Sequence, residues 1–148
     1  MPRPYKSDYP SFGFATESWE RRQYYALRKA VFCDEQGIFT GSDADDIDQT
    51  ALPIVAVATC GGMLDRVVGA VRIDRRRPGV WYGSRLCVAD DYRKLTRFGM
   101  GGLFDDRRTV SPFDQSIGSG LISKAVSTAK ARGCRQFFAN VPLQYVRF

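Results

Sequence analysis

Gln115-Ser116-Ile117-Gly118-Ser119-Gly120-Leu121 opens an amphipathic helix. Ile117, Leu121, Ala125 and Ala129 recur every four residues, with Gly118, Ile122 and Val126 beside them. Ser119, Ser123, Lys124, Ser127, Thr128, Lys130 and Arg132 form the other face, and Gly133 supplies the stop. Two glycines one residue apart let a ligand approach the backbone and leave the first-turn N–H groups free. With the positive end of the helix dipole, those groups suit a phosphate or pyrophosphate. Close packing of the glycines against a sheet explains the same spacing equally well.

The 148 residues, 44% of them hydrophobic, suit one globular domain with a real core. No apolar run is long enough to span a membrane, and the basic, proline-containing start lacks the apolar core of a signal peptide. Cys33, Cys60, Cys87 and Cys134 are widely spaced, with no Cys-x-x-Cys pair and no histidine in the chain, so no metal site is expected. Free thiols in a cytoplasmic protein are the expectation. Ser-His and Cys-His catalysis are excluded for want of an imidazole. The net charge of +6 suits nucleic acid or a nucleotide cofactor. The basic residues are spread rather than blocked, and only an opening helix with Arg21, Tyr25 and Arg28 offers a nucleic-acid face, which argues against that partner.

In chain order, a proline-punctuated lead-in precedes a short strand at Ser11–Ala15. A helix follows, with Ser18 as N-cap and Glu20 in its first turn. Ala26, Leu27, Ala30 and Val31 make its apolar face. Arg21, Tyr25, Arg28 and Phe32 form a second ridge, either snorkelling surface or the wall of a cleft. The helix closes through Val31–Gly37. The acidic run Asp43-Ala44-Asp45-Asp46-Ile47-Asp48 lacks the central glycine and closing glutamate of an EF-hand. It is either a solvated turn or a source of carboxylates that pair with arginines around a substrate site. Ile54–Ala58, Val67–Asp74 and Val80–Ala89 are strands, with turns at Gly61-Gly62 and Pro78-Gly79. In the third, alternation puts Val80, Tyr82, Leu86 and Val88 on one face and Arg85 and Cys87 on the other. Three meandering strands feeding a glycine-started helix, then a strand at Gln136–Val141, make an α+β plan.

A strand ending Leu86-Cys87-Val88-Ala89-Asp90-Asp91-Tyr92-Arg93, followed by Gln115-x-x-Gly118-x-Gly120 and a helix, resembles the acyl-CoA-binding core of the GNAT N-acetyltransferases. Arg28-x-x-Val31-Phe32-x-x-Glu35-Gln36 is similar to a motif of two branches, the nitrilase-cluster-associated GNAT proteins and the acyl-homoserine-lactone synthases, and the run Asp43-x-Asp45-x-Ile47-Asp48 resembles an acidic run of the lactone synthases. The similarity covers about residues 12 to 148. It departs from the family in a long insertion at 94–114, with its Gly99-Met100-Gly101-Gly102 turn. It also implies a further helix and two strands, so the fold is expected to be cut short after the fifth strand or to continue past the chain end.

The resemblance implies a single GNAT-like domain over 1–148 with a mixed, mostly antiparallel sheet flanked by helices. It implies transfer of an acyl group, acetyl above all, from acyl-CoA to the amine of a small molecule. Leu86, Cys87, Val88, Arg93, Gln115, Ile117, Gly118, Ser119 and Gly120 would hold the cofactor. Glu35 and Asp45 would be the candidate bases and Tyr145 the candidate acid, while Arg28, Phe32 and Arg85 would bind the acceptor. A non-catalytic acyl-CoA-binding or regulatory module and a lactone-synthase-like enzyme are the alternatives, and a homodimer is left open.

Overall fold

The computed structural model describes residues 10–59, 65–93 and 117–139. The lead-in at 1–9, the turn at Gly61-Gly62, the insertion 94–114, Gln115, and everything from residue 140, including Tyr145, lie outside the described residues.

Five strands form one sheet in the order β1-β2-β3-β4-β5. They are β1 (Ser11–Phe14), β2 (Leu52–Thr59), β3 (Asp65–Arg77), β4 (Val80–Val88) and β5 (Gln136–Ala139). The first four pair antiparallel in sequence order, and β5 joins β4 in parallel. That parallel pair requires a crossover, supplied by helix α2 (Ile117–Ala131). The mixed sheet flanked by helices is the α+β architecture that the motif order implies.

Each sheet face has its own core. On one, α2 lays Ile117, Leu121, Ala125 and Ala129 against Ile54, Ala56, Val71, Ile73, Trp81 and Leu86. Val126 is exposed and Thr128 buried, so the apolar stripe runs through 128 rather than 126. On the other, helix α1 (Ser18–Arg28) packs Tyr24 with Val55, Val67, Ala70 and Cys87. Its N-cap is Glu17, one residue before the expected Ser18, because Glu20 reaches back to the backbone N–H of Glu17 at 2.9 Å. The inward face is Tyr24, Arg28, Val31 and Phe32, while Ala26 faces out.

This shift of face continues in a seven-residue π-helix, Lys29–Glu35, that prolongs α1. A π turn takes more residues per turn than an α turn, so it rotates the following side chains relative to α-helical spacing. Val31 and Phe32 both become buried as a result.

Candidate functional site

Strand β4 carries the main irregularity of the sheet. Ala70 pairs with Cys87 but Arg72 with Ser84, so β4 spends three steps where β3 spends two. The extra residue is accommodated at Arg85, whose φ is +57°, a left-handed conformation rare for a residue with a long side chain. The bulge reverses the alternation. Trp81, Leu86 and Val88 face α2, while Tyr82 lies on the opposite side against Phe138, ring centroids 5.2 Å apart. The expected common face of Tyr82 with Leu86 and Val88 is therefore corrected.

Pairing between β4 and β5 reaches Gly83↔Ala139, where Gly83 lies flat under Phe137, so close that a Cβ would sit 2.9 Å from its ring. Among the described residues a small apolar crevice between β4, β5 and α2 is lined by Val71, Gly83, Leu86, Ile122, Phe137 and Ala139. Ala89 N–H donates to Val68 O at 2.8 Å. Strand alternation then turns the Val88 N–H to the other edge, away from β3. Among the described residues no strand pairs with that edge beyond Gly83. In α2, Ile117 and Gly118 are buried against the sheet. Gly120 has a packing reason of its own, since a Cβ there would sit 2.3 Å from the Phe12 ring of β1.

The acidic run lies on the other face of β3 and β4, wrapped around arginines. Asp45 caps a 3₁₀ turn (Asp46–Gln49) by accepting from Ile47 N–H. Arg28 is wholly buried and uses all five of its donors. Nε donates to Asp43 Oδ2 at 2.7 Å, Nη1 to Asp48 Oδ1 at 2.6 Å and to the Tyr24 hydroxyl, and Nη2 to Asp48 Oδ2 and the Asp43 carbonyl. Arg72, equally buried, donates bidentately to Asp45 at 2.7 and 3.0 Å and through Nε to Ser84 Oγ at 2.8 Å. Arg85 donates to the Asp43 carbonyl at 2.8 Å and to the Asp43 and Asp45 carboxylates, with its guanidinium 4.4 Å from the Phe39 ring. Three carboxylates balance three guanidiniums, as burial of charge requires.

Burial pushes the Asp48 carboxyl up, but hydrogen bonds from Arg28, the Asp45 N–H and Arg72 outweigh it and bring it to about 2. The hydrogen bond from Arg72 holds Asp45 below its ordinary range as well. A carboxyl that titrates lower folded than unfolded stabilises the fold fully above its unfolded pKa of about 4, and loses that effect as pH falls toward 2. The melting temperature should therefore fall steeply between about pH 4 and pH 2. An Asp48→Asn variant, melted across the same range, should show a shallower fall; an unchanged slope would place the acid sensitivity elsewhere.

These contacts place the expected site residues as follows. Arg28, expected to bind the acceptor, has all five donors engaged and no exposed surface, and serves here as a structural hub. Phe32 is 7% exposed and packs in the core under α1 rather than on a cleft wall. Asp45 is held ionised in a bidentate ion pair, which makes it a poor proton acceptor. Glu35 accepts from Arg93 Nη2 at 2.7 Å, so an expected base and an expected pyrophosphate ligand pair with each other. Cys87 is buried with its thiol pushed up by desolvation, leaving only its backbone to offer a ligand. Arg85, expected to bind the acceptor, keeps 16% of its side chain exposed.

Arg72, Ser84 and Tyr24 were missed by the sequence reading. Arg72 had a signal: a lone arginine inside Val67–Asp74, otherwise an apolar strand with a terminal aspartate, demands a buried carboxylate. The run 43–48 was there to supply it.

No protein-family model matches this chain, and no curated protein matches it. Solved structures do. A candidate N-acetyltransferase from Lactobacillus plantarum superposes with a TM-score of 0.63 at 21% identity, covering 92% of this chain and 77% of its own. An acetyltransferase of the GNAT family from Staphylococcus aureus gives 0.56 at 12% identity, covering 89% and 73%. Glucosamine-6-phosphate N-acetyltransferase from Arabidopsis thaliana gives 0.53 at 12%, covering 91% and 84%. The chain thus has the fold of the GNAT acetyltransferases.

Proposed function

We propose that this protein is an N-acyltransferase that moves an acyl group, acetyl in the first instance, from acyl-CoA to the amine of a small molecule. The observation that carries this reading is the edge of β4 after the Arg85 bulge, unpaired among the described residues and beside the strand that α2 delivers. The pantetheine amides would pair with the Leu86–Val88 edge as an added strand would. The N–H groups of Ile117, Gly118, Ser119 and Gly120, with the helix dipole, would take the pyrophosphate. Arg93 would assist once drawn from Glu35. The Val88 N–H would polarise the thioester carbonyl as the tetrahedral intermediate forms. The acceptor amine loses its proton to a carboxylate or through water, and Glu35, 37% exposed and paired with Arg93, is the better of the two candidates. Arg85 suits an acidic group on the acceptor. The motifs around Phe32 and the acidic run support, as the finer reading, a lactone-synthase-like or nitrilase-cluster branch.

A second reading has an observation in its favour. Both candidate bases are engaged in ion pairs, as suits a module that binds acyl-CoA without transferring the acyl group. Release of free CoA thiol from acetyl-CoA in the presence of amines separates the two.

Binding itself is tested by melting the protein with acetyl-CoA, octanoyl-CoA and acetyl-pantetheine, which lacks the nucleotide pyrophosphate. At a hundredfold excess over Kd, ligand binding to the folded state contributes about 2.7 kcal/mol, or a rise of about 5–10 °C. The two CoA thioesters should give that rise and acetyl-pantetheine little. No rise with any of the three would overturn the acyl-CoA reading.

A further inference from the structure

The β4 bulge is built on a residue that resists it. A left-handed φ suits glycine and is tolerated by asparagine, whereas the Cβ of an arginine crowds the following carbonyl. Arg85 nevertheless holds φ +57°, so its surroundings must over-determine it. The cause lies at the far end of its side chain. Nη2 and Nε donate to the Asp43 carbonyl at 2.8 and 3.2 Å, Nε to Asp43 Oδ2 at 3.1 Å, and Nη2 to Asp45 Oδ2 at 3.3 Å. The Phe39 ring backs the guanidinium at 4.4 Å. The acidic loop cannot yield, because Arg28 grips Asp43 and Asp48, and Arg72 grips Asp45, from below.

We propose that Arg85 is a positioning residue: its hold on Asp43 and Asp45 keeps β4 bulged, and the bulge presents the Leu86–Val88 edge, unpaired among the described residues, to acyl-CoA. On this account the buried Arg–Asp network acts on the cofactor side of the sheet through the backbone of one strained residue. Its side chain need touch no ligand. The ligand half of the proposal rests on the acyltransferase reading, while the backbone half stands on φ and the hydrogen bonds alone.

Glycine separates this role from direct contact with a ligand. Arg85→Gly removes every contact of the side chain yet adopts the bulge without cost, whereas Arg85→Ala removes the same contacts and keeps the Cβ that opposes it. Arg85→Asn falls between, and serves if the alanine variant does not fold. Acetyl-CoA affinity should drop about tenfold or more in Arg85→Ala and stay within about threefold of the parent in Arg85→Gly. Melting temperatures should rank glycine above asparagine above alanine. Equal losses of affinity in folded glycine and alanine variants would overturn the proposal, since the arginine would then be contacting the ligand. Unchanged affinity in both would overturn it too, since the bulge would then not matter to the ligand. If the parent binds no acetyl-CoA, the acyltransferase reading fails and the melting order alone decides the brace. Alanine melting at or above glycine would remove it.

Discussion

Replacing Arg28 by methionine should lower the melting temperature by about 6–12 °C, the effect of losing about 3 kcal/mol from a domain of this size. The guanidinium joins α1 to the acidic loop through Asp43, Asp48 and the Tyr24 hydroxyl. Without it, among the described residues, Asp43, 2% exposed, keeps Arg85, and Asp48 keeps the more distant Arg72 Nη1 at 3.1 Å and the backbone N–H of Asp45. A buried carboxylate that loses its main partner retains most of its desolvation penalty. Arg28→Lys should recover little of the loss, because an ammonium offers three donors from one point where the native site uses a five-donor fork. Thermal melting at neutral pH checks both. A methionine variant melting with the parent would show that the network contributes nothing net to stability.

Gly120→Val should destabilise by about 3 kcal/mol, again several degrees of melting temperature. The added Cβ would meet the Phe12 ring at 2.3 Å, well inside any real contact, and β1 carries only four residues with which to resist displacement. Adding Phe12→Ala should restore part of the loss, so that the double variant is more stable than the sum of the singles by about 1 kcal/mol. Strict additivity would mean that the clash is relieved elsewhere. The pair matters beyond stability: a Gly120 variant that fails to bind CoA could have lost its sheet packing rather than its pyrophosphate site.

Periodicity was enough for the architecture. The four-residue recurrence from Ile117 to Ala129 and the apolar runs at Ile54, Val67 and Val80 carried the α2 helix and the meander, because a helix buried on one face leaves a periodic imprint and strands buried on both faces a continuous one. Three features left no such imprint. The bulge rests on an arginine in a conformation where glycine would have announced it, so Tyr82 was assigned to the wrong face. The π-helix has no composition of its own, and Phe32 moved from the surface ridge into the core. Arg28 was read as a possible cleft wall because burial of a full guanidinium depends on carboxylates fifteen and twenty residues away. The acidic run itself was rightly weighed as a partner for arginines, but which arginines is a matter of tertiary geometry.

The order of the strands has a consequence for how the molecule assembles. Strands β1 to β4 lie side by side in the sequence in which they are synthesised, and the β2–β3 and β3–β4 pairs are local in the chain. Strand β5 reaches β4 only after the excursion from Val88 to Gln136. Closing that large loop carries more entropy than any hairpin in the meander. The crossover unit of α2 and β5 is thus the natural late partner in folding and the natural first to loosen. The crevice between β4 and β5 is then a seam between an early and a late half, and a molecule lying along it would act as a clasp.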